Sequence, residues 1–251
     1  MKQWHEQDAF WTKWGPFLFE RRRWEQAPEE VANIISLLRM SPGASVLDLC
    51  CGTGRHSLQL ARLGFSVTGV DRTRTYLDEA RKRAEVEGLT VEFIQEDMRN
   101  FCKPDTFDVA LNIFTSFGYF EDINDDKKVA TNVYHSLKEM GVFLIDTLGK
   151  EVLARVFRER DWYEVDDMLV LQERKVCKNW TWIENRWIMI RDGTSDEYKL
   201  SHRLYSAAEL SELLNDSGFT TIEVYGDLTG TPYDHTARRL VIVGYKGKGK
   251  T

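Results

Sequence analysis

Between Ser45 and Thr147 the hydrophobic positions switch between two rhythms. "SVLDL" (45–49) is a short apolar run that predicts a buried strand. "RHSLQLARLG" (55–64) predicts a helix closed by Gly64. "FSVTGVD" (65–71) predicts a second strand. "RTRTYLDEARKRAEVEG" (72–88) predicts a helix with Leu77, Ala80 and Ala84 inward and Gly88 as its stop. "TVEFIQED" (90–97) and "FDVALNIF" (107–114) predict strands, "INDDKKVATNVYHSLKEMG" (123–141) a helix, and "GVFLIDT" (141–147) a strand. Strands alternating with helices predict a parallel sheet covered on both faces, with its site at the carboxyl ends of the strands. Upstream, "PEEVANIISLLRM" (28–40) predicts a helix begun by Pro28, with Val31, Ile34, Ile35 and Leu38 on one face.

The rhythm breaks over residues 158–205. There apolar and polar residues alternate, with turn-like "KNW" and "RDGTSD", which predicts three or so antiparallel strands inserted after the strand at 142–147. "SAAELSELLNDSGF" (206–219) predicts a helix with a capping box, Ser206 with Glu209, and Gly218 as stop. "TTIEVYG" and "RRLVIVGYK" close the chain as a hairpin. The fold class is α/β: a doubly wound, seven-stranded, mostly parallel sheet with an antiparallel β insertion. The expected domains are an aromatic N-terminal cap (1–27), a core domain (28–157 and 206–246), the insertion as a substrate lobe (158–205), and a tail (247–251) frayed from Lys246 onward. The cap holds Trp4, Phe10, Trp11, Trp14, Phe17, Phe19 and Trp24, too apolar a set for a free tail.

Composition narrows the class. The chain has 251 residues, 42% hydrophobic and 29% charged, enough for a full core. No run approaches the roughly 18 apolar residues that span a bilayer, and the N-terminus lacks a signal-peptide pattern. A net charge of −6 disfavours nucleic acid as the main partner; "ERRR" (20–23) and "RKR" (81–83) read as solvated helix faces. The cysteines, Cys50, Cys51, Cys102 and Cys177, form no CxxC pair, which argues against a metal site or a disulfide scaffold and suits a reducing cytoplasm.

The chemistry centres on "VLDLCCGTGRHS" (46–57). A strand, a glycine turn and a helix make a nucleotide-type cradle: Gly52 and Gly54 admit positive φ and close approach, and the helix N-terminus presents free N–H groups. Asp71 ends the second strand, where a carboxylate can accept from both hydroxyls of a ribose. Asp97 ends the third, beside Met98, where a carboxylate with backbone can read an adenine edge. "GTGRHS" also approximates G-x-G-x-x-G, with Ser57 last and Asp71 near the position of a nicotinamide-binding acid. Asp48 inside the turn and Asp97 after the third strand are foreign to that fingerprint.

The motifs together resemble the class I S-adenosylmethionine-dependent methyltransferases, whose first motif is D/E-x-G-x-G-x-G. Here Asp48, Cys50, Gly52 and Gly54 stand in those places, over a resemblance covering about 28–150 and 206–246. Cys50 replaces the first glycine, a change tolerable if the turn keeps negative φ there; Cys50 and Cys51 then read as small buried turn residues. The resemblance implies S-adenosyl-L-methionine as cofactor. Asp48 and the turn with Thr53 would hold its methionine end, Asp71 with Arg72 the ribose, and Asp97 with Met98 the adenine. Asn112 joins this set at the end of the fourth strand, and Arg23 and Trp24 close over the cofactor from the cap.

For the acceptor, "NIFTSFGYF" (112–120) lacks [DN]PP[FY] and is similar to the F-S-S-I-G-[HY]-L run of small-molecule methyltransferases, including amino-sugar N-methyltransferases. That match points Thr115, Ser116 and Tyr119 at the methyl or the acceptor, with Tyr119 and Ser116 as the catalytic pair; Phe114, Phe117 and Phe120 are expected to be packing residues. Tyr163, Trp182, Trp187, His202, Arg203 and Tyr205 are candidates to line the insertion, with Arg203 and Tyr205 sharing a face. Tyr233 and Asp234 are expected at the rim, and His56 on the surface. The expected function is methyl transfer to a small-molecule N or O acceptor by a monomer or homodimer, with no membrane and no metal. The competing readings are a catalytically silent S-adenosylmethionine-binding module, an NAD-dependent dehydrogenase and an RNA methyltransferase.

Overall fold

A computed structural model describes residues 3–165 and 167–247; of the expected tail, residues 248–251 lie outside the described residues. The central sheet has seven strands: β1 (Ser45–Leu49), β2 (Ser66–Asp71), β3 (Glu92–Gln95), β4 (Phe107–Asn112), β5 (Leu137–Thr147), β10 (Thr221–Tyr225) and β11 (Leu240–Tyr245). Their order is β10-β11-β5-β4-β1-β2-β3. β11 runs antiparallel to both its neighbours; the β1–β2, β1–β4, β2–β3 and β4–β5 pairs are parallel. Because side chains alternate along a strand, each strand feeds two cores. Leu47, Ala110, Phe143, Ile145 and Ile242 pack with α5 (Ile123–Ser136) and α7 (Ala207–Asp216) on one face. Val46, Val109, Leu111, Leu144 and Val243 pack with α2 (Arg21–Leu38) and α3 (Arg55–Arg62) on the other. α4 (Arg74–Val86) buries Leu77, Ala80 and Ala84, and α7 carries the Ser206–Glu209 capping box.

Three boundaries differ from the sequence expectation. α2 starts at Arg21 and runs through Pro28, so the expected start at Pro28, and the 27/28 domain boundary with it, fall inside a helix. Arg21 and Glu25, one turn apart at 2.7 Å, support the added turns. α5 stops at Ser136, and residues 137–141 belong to β5, because Leu137 is drawn into the core opposite Phe107. Lys246 is not frayed: its buried ammonium donates to the Leu137 carbonyl at 2.6 Å and to Asp105 at 3.0 Å.

A short helix absent from the expectation, α6 (Lys150–Val156), leads into the insertion. The insertion is a four-stranded antiparallel sheet of β6 (Arg160–Val165), β7 (Met168–Cys177), β8 (Trp182–Arg191) and β9 (Thr194–Arg203), in that order. Lys178, Asn179 and Trp180 turn β7 into β8 with positive φ, and Asp192–Gly193 turns β8 into β9. The N-terminal turn Trp4–Glu6 and α1 (Asp8–Leu18) lie across this sheet. Trp4 donates from Nε1 to the Ser201 carbonyl at 2.7 Å, Lys13 meets Asp196 at 3.0 Å, and the fully buried Trp14 packs edge-on against Trp187 and Tyr198. The segment is also tied to the core, since the Tyr76 hydroxyl donates to the Trp11 carbonyl and Arg99 pairs with Glu6 at 3.1 Å. No helix among the described residues is long and apolar enough to cross a membrane.

Candidate active site between the central sheet and the insertion

A cavity of about 740 Å³ opens at the carboxyl ends of β1, β2, β4 and β5, within the size of small-molecule sites. Its floor is the turns after those strands, its roof the N-terminal aromatics, and its far wall one face of the insertion sheet.

The floor is organised by one carboxylate. Asp71 accepts from the Gly52 N–H through Oδ2 at 2.9 Å and from the Thr73 N–H through Oδ1 at 2.7 Å, tying the β1 turn to the β2 turn. Burial raises its pKa despite those bonds. Gly52 has φ +57, and a Cβ there would sit 2.5 Å from the Phe19 ring, so only glycine lets that ring close down. Cys50 has φ +66. The expectation of negative φ at this residue is overturned: the turn needs the left-handed conformation that the family's glycine supplies, and Cys50 adopts it with a side chain. Its Sγ lies 3.4 Å from the Met98 Sδ, and burial pushes the thiol pKa well up, so it stays a neutral thiol. Cys51 is buried.

Asp97 and Met98 also face the cavity. Burial opposes the charge of Asp97, but the Arg99 guanidinium, at 2.7 Å, outweighs it and holds the carboxyl below its usual range. Arg72 reaches the cavity while paired with Asp8 at 2.6 Å.

Other expected members stand behind the wall. Asp48 does not line the cavity; it is buried under the turn and accepts from the Ser57 hydroxyl at 2.5 Å, pinning α3 to β1. Thr53 and Gly54 are likewise behind it, Gly54 at φ +81 letting α3 approach Ala80 and Phe93 closely. Asn112 is fully buried and donates to the Leu49 carbonyl at 3.3 Å. Arg23 lines the cavity with its guanidinium 4.5 Å from the Phe114 ring centroid, but Trp24 does not. One residue along a helix is about 100° of rotation, and Trp24 turns away to pack under Arg83 at 4.2 Å.

The β4 loop is strained at Phe114 and Thr115, with φ +63 and +62. Asp146 holds it, accepting from the Phe114 N–H at 3.1 Å, while Arg239 bridges Asp146 and the Thr115 hydroxyl. Thr115, Ser116 and Tyr119 all line the cavity. Phe117 is a core residue as expected; Phe120 is buried but also lines the cavity, and Phe114 is 37% exposed and forms cavity wall beneath Arg23 and Arg55. Tyr119 packs edge-on against Trp4 and tilted against Trp11, and burial raises its pKa, so its hydroxyl stays protonated.

In the insertion, Trp187 and His202 line the cavity, but Arg203, Tyr205, Tyr163 and Trp182 do not. Arg203 and Tyr205 do share a direction: both converge on Asp126 of α5, at 3.3 and 2.7 Å, and fasten β9 to the core. Tyr233 donates to Glu151 at 2.9 Å on the outside, and Asp234 is bonded to Thr236. His56 is 7% exposed, not a surface residue, and shares Glu30 with Arg55. Glu30 is a cavity residue that no sequence signal marked, since its contact with Arg55 joins α2 to α3 across 25 residues.

Comparison with known proteins identifies the fold and its core. Residues 46–141 match the family model described as "Methyltransferase domain". Residues 46–141 are a methyltransferase domain. The S-adenosylmethionine-dependent class read from the turn motif therefore holds. YqeM of Bacillus subtilis (strain 168), named as a methyltransferase, is 28% identical over 209 residues, 81% of this chain and 84% of that one. An S-adenosylmethionine-dependent methyltransferase from Clostridium acetobutylicum superposes with a TM-score of 0.79 at 19% identity, covering 96% of this chain and 99% of that one. CalS10, an amino pentose methyltransferase from Micromonospora echinaspora, gives a TM-score of 0.61 at 20% identity, covering 89% and 91%.

The donor set of the methyltransferase fits S-adenosylmethionine, its cofactor. Gly52 lines the cavity floor beneath the Phe19 ring, Asp71 and Asp97 present carboxylates, Arg23 and Arg55 present guanidiniums, and Trp4, Trp11 and Tyr119 present aromatic rings, which suit a cation.

Proposed function

We propose that this methyltransferase transfers the methyl group to a nitrogen or oxygen of a small molecule held in the cavity. The observation that carries the reading is the chamber itself. Cofactor floor and insertion wall face one space, roofed by the same chain's N-terminal aromatics, and its volume suits a cofactor and a small acceptor rather than a polymer.

The cofactor supplies an electrophilic methyl on a cationic sulfur. The chain's work is to place the nucleophile in line with it and to exclude water. In this reading Asp71 accepts from the ribose, Asp97 and Met98 border the adenine, and Arg23 and Arg55 face the methionine carboxylate. Tyr119 and Ser116 border the reacting groups. The Tyr119 hydroxyl, kept neutral, can donate to or accept from the acceptor but carries no charge of its own. His202 stands in the opposite wall. Burial pushes its pKa down to about 4, so at neutral pH it is an uncharged imidazole able to accept a hydrogen bond from the acceptor.

The test is calorimetric titration of the chain with S-adenosylmethionine, S-adenosylhomocysteine and NAD, followed by detection of S-adenosylhomocysteine formed with a panel of small amines and hydroxyl compounds. Binding of the first two ligands and turnover on a small acceptor are expected. Binding without turnover on any acceptor would turn the reading to a silent module, and binding of NAD alone would remove it.

A further inference from the structure

The insertion wall contains a guanidinium, that of Arg174, with no ion-pair partner among the described residues. β7, β8 and β9 are paired in register, Arg174 opposite Asn185, Asn185 opposite Leu200, and Gln172 opposite Trp187. Residues directly opposite in an antiparallel pair share a face, and this face is the one turned to the cavity. Its centre is therefore polar where a sheet packed on a core would be apolar.

The other guanidiniums in the cavity contrast with it. Arg55 is paired with Glu30, Arg72 with Asp8, and Arg239 with Asp146; Arg23 stands 3.9 Å from Glu20. The exposed Arg238 is free to water. Arg174 is half-buried, and among the described residues no carboxylate is at ion-pair distance from it. Its bonds go to neutral oxygens, the Arg158 carbonyl and the Gln172 amide. Asp161 is near enough to be felt but is turned to Arg158, at 3.8 Å. Beside it the Trp187 Nε1 is buried with no acceptor. A sheltered guanidinium and a bare indole N–H on one face want an oxyanion: a guanidinium matches a carboxylate or phosphate with two parallel N–H bonds, and an unmet buried donor is costly.

We propose that Arg174, with Trp187 and Asn185, is an anion subsite for the acceptor, so that the substrate class is a small amine or hydroxyl compound bearing a carboxylate or phosphate. The inference rests on the proposed acceptor cavity and sharpens it: the anionic end is fixed on the insertion sheet and the nucleophile is left free to face the β4 loop.

The experiment titrates the S-adenosylhomocysteine-loaded chain with acetate and, separately, with inorganic phosphate, followed by tryptophan fluorescence and calorimetry. One of the two saturates, and which one names the anion. Arg174→Gln weakens that binding roughly tenfold or more, the loss expected for a charge-assisted bond. Arg174→Lys recovers part of it, and Trp187→Phe weakens it less. S-adenosylhomocysteine affinity, measured on every variant, stays at the wild-type value and reports that each is folded. Wild type that saturates with neither anion, or Arg174→Gln that binds as wild type does, overturns the subsite. Failure of wild type to bind S-adenosylhomocysteine would strike the cofactor reading instead, and the same titrations of the unloaded chain would still decide on Arg174.

Discussion

The two ends of the cavity are built on different principles. At the cofactor end, main-chain turns after parallel strands do the shaping, and side chains such as Asp71 brace the turns. At the insertion, the main chain is spent on sheet ladders, and the wall is whatever alternate side chains the register turns inward. A backbone site tolerates few residue types at its glycines but is fixed by a short local stretch. A side-chain wall can change its ligand by single substitutions while the sheet stands. In the proposed function the cofactor takes the first and the acceptor the second.

The strongest way to break this division is at its brace. Asp71→Ala removes charge-assisted bonds, each about 1.5 to 3 kcal/mol, so cofactor affinity should fall by about a hundredfold or more by calorimetry. Unchanged affinity would remove Asp71 from the site.

The insertion's anchor should respond to pH. Burial raises the Asp126 pKa from 3.8 to about 6. The folded state therefore binds the proton more tightly than the unfolded one. The stability this gives is full below about pH 4 and is lost as pH rises through 6, on the order of 3 kcal/mol. Asp126→Asn lacks the titration, so the Tm difference between variant and wild type should shift in the variant's favour from pH 4 to 7. Parallel curves would show that Arg203 already compensates the charge.

Two smaller effects sharpen the boundary between the ends. Tyr119→Phe should lower turnover by about tenfold, one hydrogen bond's worth, with cofactor affinity little changed; a change in affinity alone would move Tyr119 to the cofactor side. Cys50→Gly should raise Tm slightly. Glycine keeps the left-handed turn without the Cβ penalty of about 1–2 kcal/mol, and the extra freedom of an unfolded glycine returns part of it, for a net gain below about 1 kcal/mol.

What could be read from the sequence follows the same division. The β1 turn, Asp71, Asp97 and the alternation of strands and helices are legible because each rests on a short local pattern. The insertion was legible as strands but not as a wall. Arg203 and His202 are adjacent, and which one faces the cavity depends on parity: His202 lies opposite Ile183 on the cavity face, Arg203 opposite Trp182 on the other. Alternation fixes that two faces exist, and only pairing with β8 and docking on α5 fixes which is inside. Arg174 and Asn185 carry no signal in the sequence, because polar residues in an alternating strand read as its wet side. Cys50 shows the reverse failure. Its place in the motif was plain, but its backbone conformation was set by the turn and not by its own preference.

The Asp71 carboxylate carries one more implication. An ionised carboxylate offers about four lone-pair sites. Two are committed to the Gly52 and Thr73 amides and the Thr73 hydroxyl engages a third, which leaves about one. A vicinal diol has two hydroxyl protons to give. In the proposed reading a ribose therefore meets the carboxylate with both hydroxyls only if the Thr73 hydroxyl yields its place, and a 2′-deoxy sugar would need no such exchange.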